Sequence, residues 1–261
     1  MKRRDFLASS LAASAGLAHG SPGEAQENKA AGRDFYELRF YQLTGGPKVK
    51  LIHQYFREAA IPALNRIGIE PVGVFSMLVG PISPSIYVLL PHRSLESVAT
   101  LEERLRSDAE YMKLGADFLN APASDPAYVR YESSLMQAFS CHPRITPPPK
   151  GKRIFELRTY ESSSKKYNLN KVEMFGSGEV GIFIRSGFHP VFFGEKLIGQ
   201  RMPNLTYMLS IGGMAERNKA WKAFNADPQW KELTSSPKFS SGPNVVNVTN
   251  YFLTPAPYSQ I

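Results

Sequence analysis

The sequence predicts an α+β protein built from two tandem copies of one βαββαβ unit, and three observations carry that reading. The first is a short segment that occurs twice, Phe35-Tyr36-Glu37-Leu38-Arg39-Phe40-Tyr41 and Ile154-Phe155-Glu156-Leu157-Arg158-Thr159-Tyr160. In each copy one residue set alternates with a Glu-Arg-Tyr comb, the period-two signature of a strand with two unlike faces. The second is that the offset of 119 residues, measured from Glu37 to Glu156, persists downstream: Gly68 falls on Gly187, Pro71 on Pro190, Pro84 on Pro203 and Asp108 on Asp227. The third is segment 141–152, whose Pro143, Pro147, Pro148 and Pro149 favour an extended spacer between two halves.

The elements of the first copy, 34–140, follow in order. After the Glu37 strand, Thr44-Gly45-Gly46-Pro47 is a turn with proline placed for a first helical turn. Over 48–65, Leu51, Ile52, Tyr55, Phe56, Ala59 and Ala63 recur at helical spacing; Pro62 is expected to kink or limit the last turn, and Gly68 to cap it. Residues 72–79 are almost continuously apolar, which predicts a strand buried on both faces. A Gly80-Pro81 turn leads to a third strand at 86–90, Ser94 opens a second helix, and 128–136 reads as a fourth strand. The second copy, 153–255, repeats the order: strand 154–160, a weaker helix at 169–185 loosened by Gly176-Ser177-Gly178, a buried strand at 190–193, a strand at 204–211, a helix at 214–224, a turn at Asp227-Pro228-Gln229-Trp230, and a closing strand at 245–253. This βαββαβ order is the ferredoxin-like motif.

Two such halves of roughly 110 residues suit the ordinary size range of domains. The 31 Lys and Arg against 23 Asp and Glu give a net charge of +8, but the basic residues are scattered, so no nucleic-acid partner is expected. At the amino terminus, Lys2, Arg3 and Arg4 precede an apolar stretch from Phe6 to Ala18, too short for a bilayer and shaped like a cleavable export signal. Arg3-Arg4-Asp5-Phe6-Leu7 resembles a bacterial twin-arginine signal, which predicts periplasmic delivery. Residues 1–18 are thus read as the signal, with cleavage after Ala18 or Ala15, and 19–33 as a disordered tether. No later apolar run is long enough for a membrane span. The single Cys141 excludes an intrachain disulfide and Cys-based metal clusters, and beside His142-Pro143 it does not read as a nucleophile.

The repeats together resemble a known family. Glu156-Leu157-Arg158-Thr159-Tyr160, then Gly187-Phe188-His189-Pro190 before a buried strand, then Asp227-Pro228-Gln229-Trp230, are similar to the pattern of the NIPSNAP family, of the dimeric α+β barrel superfamily. The first copy departs from it with Phe40 before Tyr41 and with Asp108-Ala109-Glu110-Tyr111. Over 34–255 the resemblance implies two ferredoxin-like domains docked sheet to sheet within one chain, with further homo-oligomerisation open. It implies little about reaction, because the superfamily holds monooxygenases, haem enzymes, isomerase-like proteins and members without assigned chemistry.

In such a barrel Leu38 and Leu157 are expected to pack under the helices, and the combs Glu37, Arg39, Tyr41 and Glu156, Arg158, Tyr160 to point into the space between the sheets. These six are the candidate ligand-binding residues, with either arginine grasping an anion; the plainer alternative is that the pairs only hold the halves in register. His53, His92, His142 and His189 lack metal-ligand spacing, and His53 and His189 read as structural. No phosphate loop, dinucleotide fingerprint or nucleophile elbow is present, so no metal or cofactor is expected. Trp221 and Trp230 read as anchors of helix against sheet. Whether the chain is an enzyme stays open. The leading expectation is a protein binding a small, partly apolar ligand between the sheets; the alternatives are a cofactor-independent oxygenase or isomerase, and a scaffold protein with a filled barrel.

Overall fold

The computed structural model describes residues 32–240 and 242–261; the expected signal and the tether up to residue 31 lie outside them. The first repeat begins with β1 (Phe35–Gln42) and α1 (Pro47–Tyr55), which runs on through a π-helical stretch, Phe56–Ala60, into α2 (Ile61–Arg66). The π stretch widens the turn that the Pro62 ring would otherwise crowd, so the helix passes the proline and continues to Arg66. Gly68 then closes it at φ 77°. β2 (Gly73–Val79) is buried over its first half, but Leu78 and Val79 are exposed, because the strand runs out to the rim of the barrel. β3 (Ser85–His92) is buried throughout. The single helix expected after Ser94 is four short ones, α3 (Leu95–Ala99), α4 (Leu101–Arg106), α5 (Ala109–Leu114) and α6 (Ala116–Leu119). Asp108 breaks the run, its carboxylate accepting from the Tyr111 N–H at 3.0 Å as the cap of α5. β4 (Arg130–Ala138) ends the repeat.

The second repeat has β5 (Ile154–Glu161), α7 (Lys165–Met174), a second π stretch at Phe175–Glu179, α8 (Val180–Arg185), β6 (His189–Ile198), β7 (Asn204–Ile211), α9 (Met214–Ala226), α10 (Pro228–Ser235) and β8 (Asn247–Pro255). Where a turn was expected, Asp227-Pro228 starts α10: the Asp227 carboxylate accepts from the Gln229 and Trp230 N–H groups and Pro228 occupies the first turn. The 119-residue offset is reproduced in contacts. Arg66 bridges Asp108 at 2.7 Å, and Arg185 bridges Asp227 at 2.6 Å.

Each repeat forms an antiparallel sheet, ordered β4-β1-β3-β2 in the first and β8-β5-β7-β6 in the second. The sheets do more than face each other. β2 pairs with β8 and β4 with β6, so the eight strands close into one barrel, β1-β3-β2-β8-β5-β7-β6-β4, with no free edge. At the β4–β6 seam Gly194 is required, since a Cβ there would stand 2.8 Å from that of Met136. The buried side chains sort into three clusters: the barrel interior, which includes Tyr36, Leu38, Phe155 and Leu157, and one helix-side core per repeat. The interior is closed at one end by Ile145 and Ile261, which pack against it.

This sorting corrects the expected direction of the combs. Leu38 and Leu157 lie inside the barrel, while Tyr41 and Tyr160 belong to the helix-side cores. Helices can bring polar partners to a charged strand face; the interior, walled by strands alone, receives the uncharged set.

Candidate functional site at the barrel mouth

The six comb residues form two separate clusters, one in each repeat, and the structure does not bring them together. Glu37 accepts from Arg39 through two nitrogens at 2.8 and 2.9 Å and from Ser133 at 2.7 Å, while Arg39 also reaches Glu102 on α4 at 3.2 Å. Burial pushes the Glu37 carboxyl up, but His92 at 3.7 Å, Arg39 and Ser133 outweigh it and hold the group down at about 2. Glu156, fully buried, accepts from Arg158 at 2.6 Å, from Arg217 at 2.8 and 2.9 Å, from the Trp221 indole at 3.0 Å and from Asn250 at 2.8 Å. Burial raises its carboxyl too, and Arg217, Trp221 and Arg158 reverse the shift, leaving it below the usual range. Because Arg217 and Trp221 ride on α9, these bonds pin helix to sheet. Tyr41 packs edge-on to Phe56 and Phe118, and the Tyr160 hydroxyl meets that of Tyr207 at 2.6 Å.

A cavity of about 260 Å³ opens instead at the barrel end opposite Ile145 and Ile261. None of the six comb residues lines it. Its floor is Leu38 and Leu157, and its wall divides into two arcs that follow the strand order. Phe40 on β1, Tyr87 on β3, Ile82 in the β2–β3 turn and Tyr251 on β8 make an aromatic and apolar arc. Thr249, Thr159, Thr206, Lys196 and Ser134, on β8, β5, β7, β6 and β4 in turn, make a polar one, with Arg201 in the β6–β7 turn above it. In the aromatic arc the Phe40 and Tyr87 rings lie 5.0 Å apart and those of Tyr87 and Tyr251 5.9 Å apart.

Lys196 is the unusual group. Its β4 partner is the interior residue Met136, which turns the lysine side chain inward, and among the described residues its ammonium has no hydrogen bond or ion pair. Desolvation, and then the charge of Arg201, push its pKa below the ordinary lysine value, with Glu161 opposing. Arg201 stands in the left-handed region at φ 61°, costly for a side-chain-bearing residue. Asn204, buried beneath it, secures that turn by donating to the Gln200 and Arg201 carbonyls at 2.9 and 2.7 Å. The arginine itself donates to Thr249 at 3.3 Å and lies 3.8 Å from Glu161. Glu132, also in the lining, accepts from Gln200 at 3.2 Å.

A second cavity, about 350 Å³, lies under the helices of the second repeat, and Tyr160 is the one comb residue that lines it. Lys171 on its wall is buried and holds Glu179 at 2.7 and 3.0 Å, among the rings of Tyr160, Phe175 and Trp230. Burial pushes the Glu179 carboxyl up against the opposing charge of Lys171. The histidines gather at neither cavity: His53 meets the Tyr258 hydroxyl at 2.6 Å, His92 and His142 are bonded to Ser97 and the Val191 carbonyl, and His189 is exposed. Among the described residues no three His, Cys, Asp or Glu side chains could hold a metal ion, and no helix is long and apolar enough to cross a membrane.

Sequence reasoning missed Lys196 and Arg201, although a signal existed. At the 119-residue offset they stand where the first repeat has Met77 and Ile82, while Thr159 and Thr206 replace Phe40 and Tyr87.

A closed barrel of two ferredoxin-like sheets with its helices outside defines a dimeric α+β barrel contained in one chain. The NIPSNAP family profile matches residues 36–138 and 155–260, one match per repeat, and the chain belongs to that family. Two solved structures share the fold at full length. One is a protein from Fusobacterium nucleatum provisionally named a monooxygenase, with TM-score 0.58 and 7% identity over 86% of this chain and 93% of that one. The other, from Lactobacillus acidophilus and named likewise, has TM-score 0.58 and 9% identity over 85% and 94%. A NIPSNAP-like domain protein from Burkholderia xenovorans is 17% identical over 42% of this chain and 90% of its own, with TM-score 0.37. At such identities the likeness is one of fold alone. A search of the curated proteins returns no match.

Proposed function

We propose that this NIPSNAP protein is an exported binding protein that holds a small, partly apolar ligand in the mouth of its barrel. The observation that carries the reading is Lys196, an inward-facing ammonium without a partner among the described residues, on the wall of a cavity floored by leucines. Lys196 is half-buried, so its ammonium is only partly shielded from water and keeps donors free for a ligand, and a concave, largely apolar site with a few oriented polar groups is the usual form of a small-molecule site. The scaffold alternative presumed combs filling the barrel, and the combs lie outside it. The monooxygenase names of the fold relatives supply no catalytic step for these residues.

The test is native mass spectrometry of the protein purified from its own periplasm, beside Lys196→Met. A retained small molecule, lost or depleted in the variant, is expected; an identical complement in both would remove the mouth from the function. The export half rests on Arg3 and Arg4 and is tested separately. Replacing both with lysine is expected to leave unprocessed precursor in the cytoplasm, and unchanged periplasmic delivery would rule out the twin-arginine route.

A further inference from the structure

The two repeats supply an internal control for the mouth. Superposed by the 119-residue offset, Met77 and Lys196 occupy equivalent strand positions and Ile82 and Arg201 equivalent turn positions. The fold therefore needs no cation at either place, because the first repeat builds the same strand and turn with apolar side chains. Phe40 and Tyr87 face Thr159 and Thr206 in the same way. The consequence is a lopsided mouth: rings on β1, β3 and β8, with hydroxyls and the ammonium running from Thr249 on β8 through β5, β7 and β6 to β4. Charge placed on the wall of a cavity without structural need is charge free to meet a ligand.

We propose that the mouth takes an aromatic monocarboxylate about one ring in size, held with its carboxylate toward Lys196 and Arg201 and its ring against Phe40, Tyr87 and Tyr251. This rests on the reading of the mouth as a binding site and goes further by naming ligand class and orientation. Tilted neighbouring rings leave faces and edges open to a third ring in the offset and edge-on arrangements that aromatics favour. A cavity of about 260 Å³ sits just below the usual range of drug-sized pockets, which limits the occupant to a small molecule. The carboxylate meets an ammonium with unspent donors and a guanidinium that lies 3.8 Å from Glu161. Glu132, on the cavity wall and already accepting from Gln200, repels a second acid group, hence a monoacid. The Thr159 and Thr206 hydroxyls, 2.9 Å apart and bonded to each other, keep acceptor capacity for a ring hydroxyl.

The experiment is calorimetric titration of the purified protein with benzoate, 4-hydroxybenzoate, benzamide and cyclohexanecarboxylate. Both benzoates are expected to bind at least tenfold tighter than benzamide and severalfold tighter than cyclohexanecarboxylate. Lys196→Met, which copies the first repeat's own residue, is expected to erase the preference over benzamide without lowering the melting temperature. Phe40→Thr, which copies the second repeat, is expected to weaken benzoate and benzamide alike. Benzamide binding as tightly as benzoate would overturn the anion assignment, and cyclohexanecarboxylate matching benzoate the aromatic one; both leave the binding reading standing. If none of the four binds and no molecule is retained in native mass spectra, the ligand class and the binding reading fall together.

Discussion

Exchanging the buried pair Lys171–Glu179 for the residues the first repeat carries at the same positions, Ile52 and Ala60, tests how far the repeats are interchangeable under their helices. Both side chains are at least 95% buried, and the lysine gives both of its short bonds to one carboxylate. Lys171→Ile alone leaves a carboxylate in an apolar core, a loss of about 3–5 kcal/mol. For a domain of this length that is a fall in melting temperature on the order of 10 °C. Lys171→Ile with Glu179→Ala removes both charges, and such replacements are neutral or stabilising by about 1–4 kcal/mol, less the cost of the space left by the shorter side chain. The double variant is therefore expected within about 1 kcal/mol of the parent or above it, with strong non-additivity in the cycle. Urea denaturation followed by circular dichroism measures all four proteins. A second readout follows from the Glu179 carboxyl, which burial raises in the folded protein. The native state then binds the extra proton above the unfolded value, so this group's contribution worsens as pH rises. The deficit of Lys171→Ile is accordingly expected to shrink as pH falls toward the ordinary glutamate range. A double variant as damaged as the sum of the single ones would refute the reasoning, and would mean that the pocket depends on these charges through its contents.

Glu37 gives the opposite sign: its carboxyl is held at about 2, so its stabilisation is full above the ordinary value of 4.5 and is lost as pH falls from there through about 2. The shift corresponds to about 3 kcal/mol, and Glu37→Gln is expected to flatten the acid limb of the stability curve, which an unchanged acid midpoint would contradict. Arg201→Gly relieves a left-handed residue and is expected to leave the melting temperature unchanged or raised, by up to about 1 kcal/mol of stability, while weakening benzoate. For benzoate itself, affinity is expected to fall with rising pH at values below those of an ordinary lysine, because Lys196 must stay charged. Arg201, Glu132, Glu161, Tyr251 and the raised Tyr87 also face or flank the cavity, so loss of the fall in Lys196→Met is the control that assigns it.

Much of the fold was legible because its signals are local. The β1 and β5 alternation, the Gly68 that ends the first helix and the recurrence of Asp108 as Asp227 are matters of period and turn chemistry, whereas the arginines that bridge those aspartates were not anticipated. The inside and outside of β1 were not legible, because both faces of the strand are buried, one in the barrel and one under helices, and alternation separates two sets without saying which faces which. What decided it was the supply of partners: Arg217, Trp221 and Glu102 arrive on helices and draw the charged comb outward. Asp227-Pro228 misled for a related reason, since an aspartate followed by proline suits a turn and equally a helix start. The mouth was hidden because β6 was read only as far as Phe193, where its apolar run ends; its polar continuation carries Lys196.

Closure of the barrel through the β2–β8 and β4–β6 seams has a consequence for what the protein can recognise. If two identical chains met at such seams, every residue of the mouth would appear twice across a dyad, and a lysine at position 196 would face its own copy from the opposite wall of the barrel. Only ligands tolerant of that mirror arrangement would fit. Joining the halves in one polypeptide lifts the constraint: one copy can remain greasy while the other becomes cationic, and the opening acquires a head and a tail. Handedness of that kind is the least a receptor needs to seize a molecule by one chosen end.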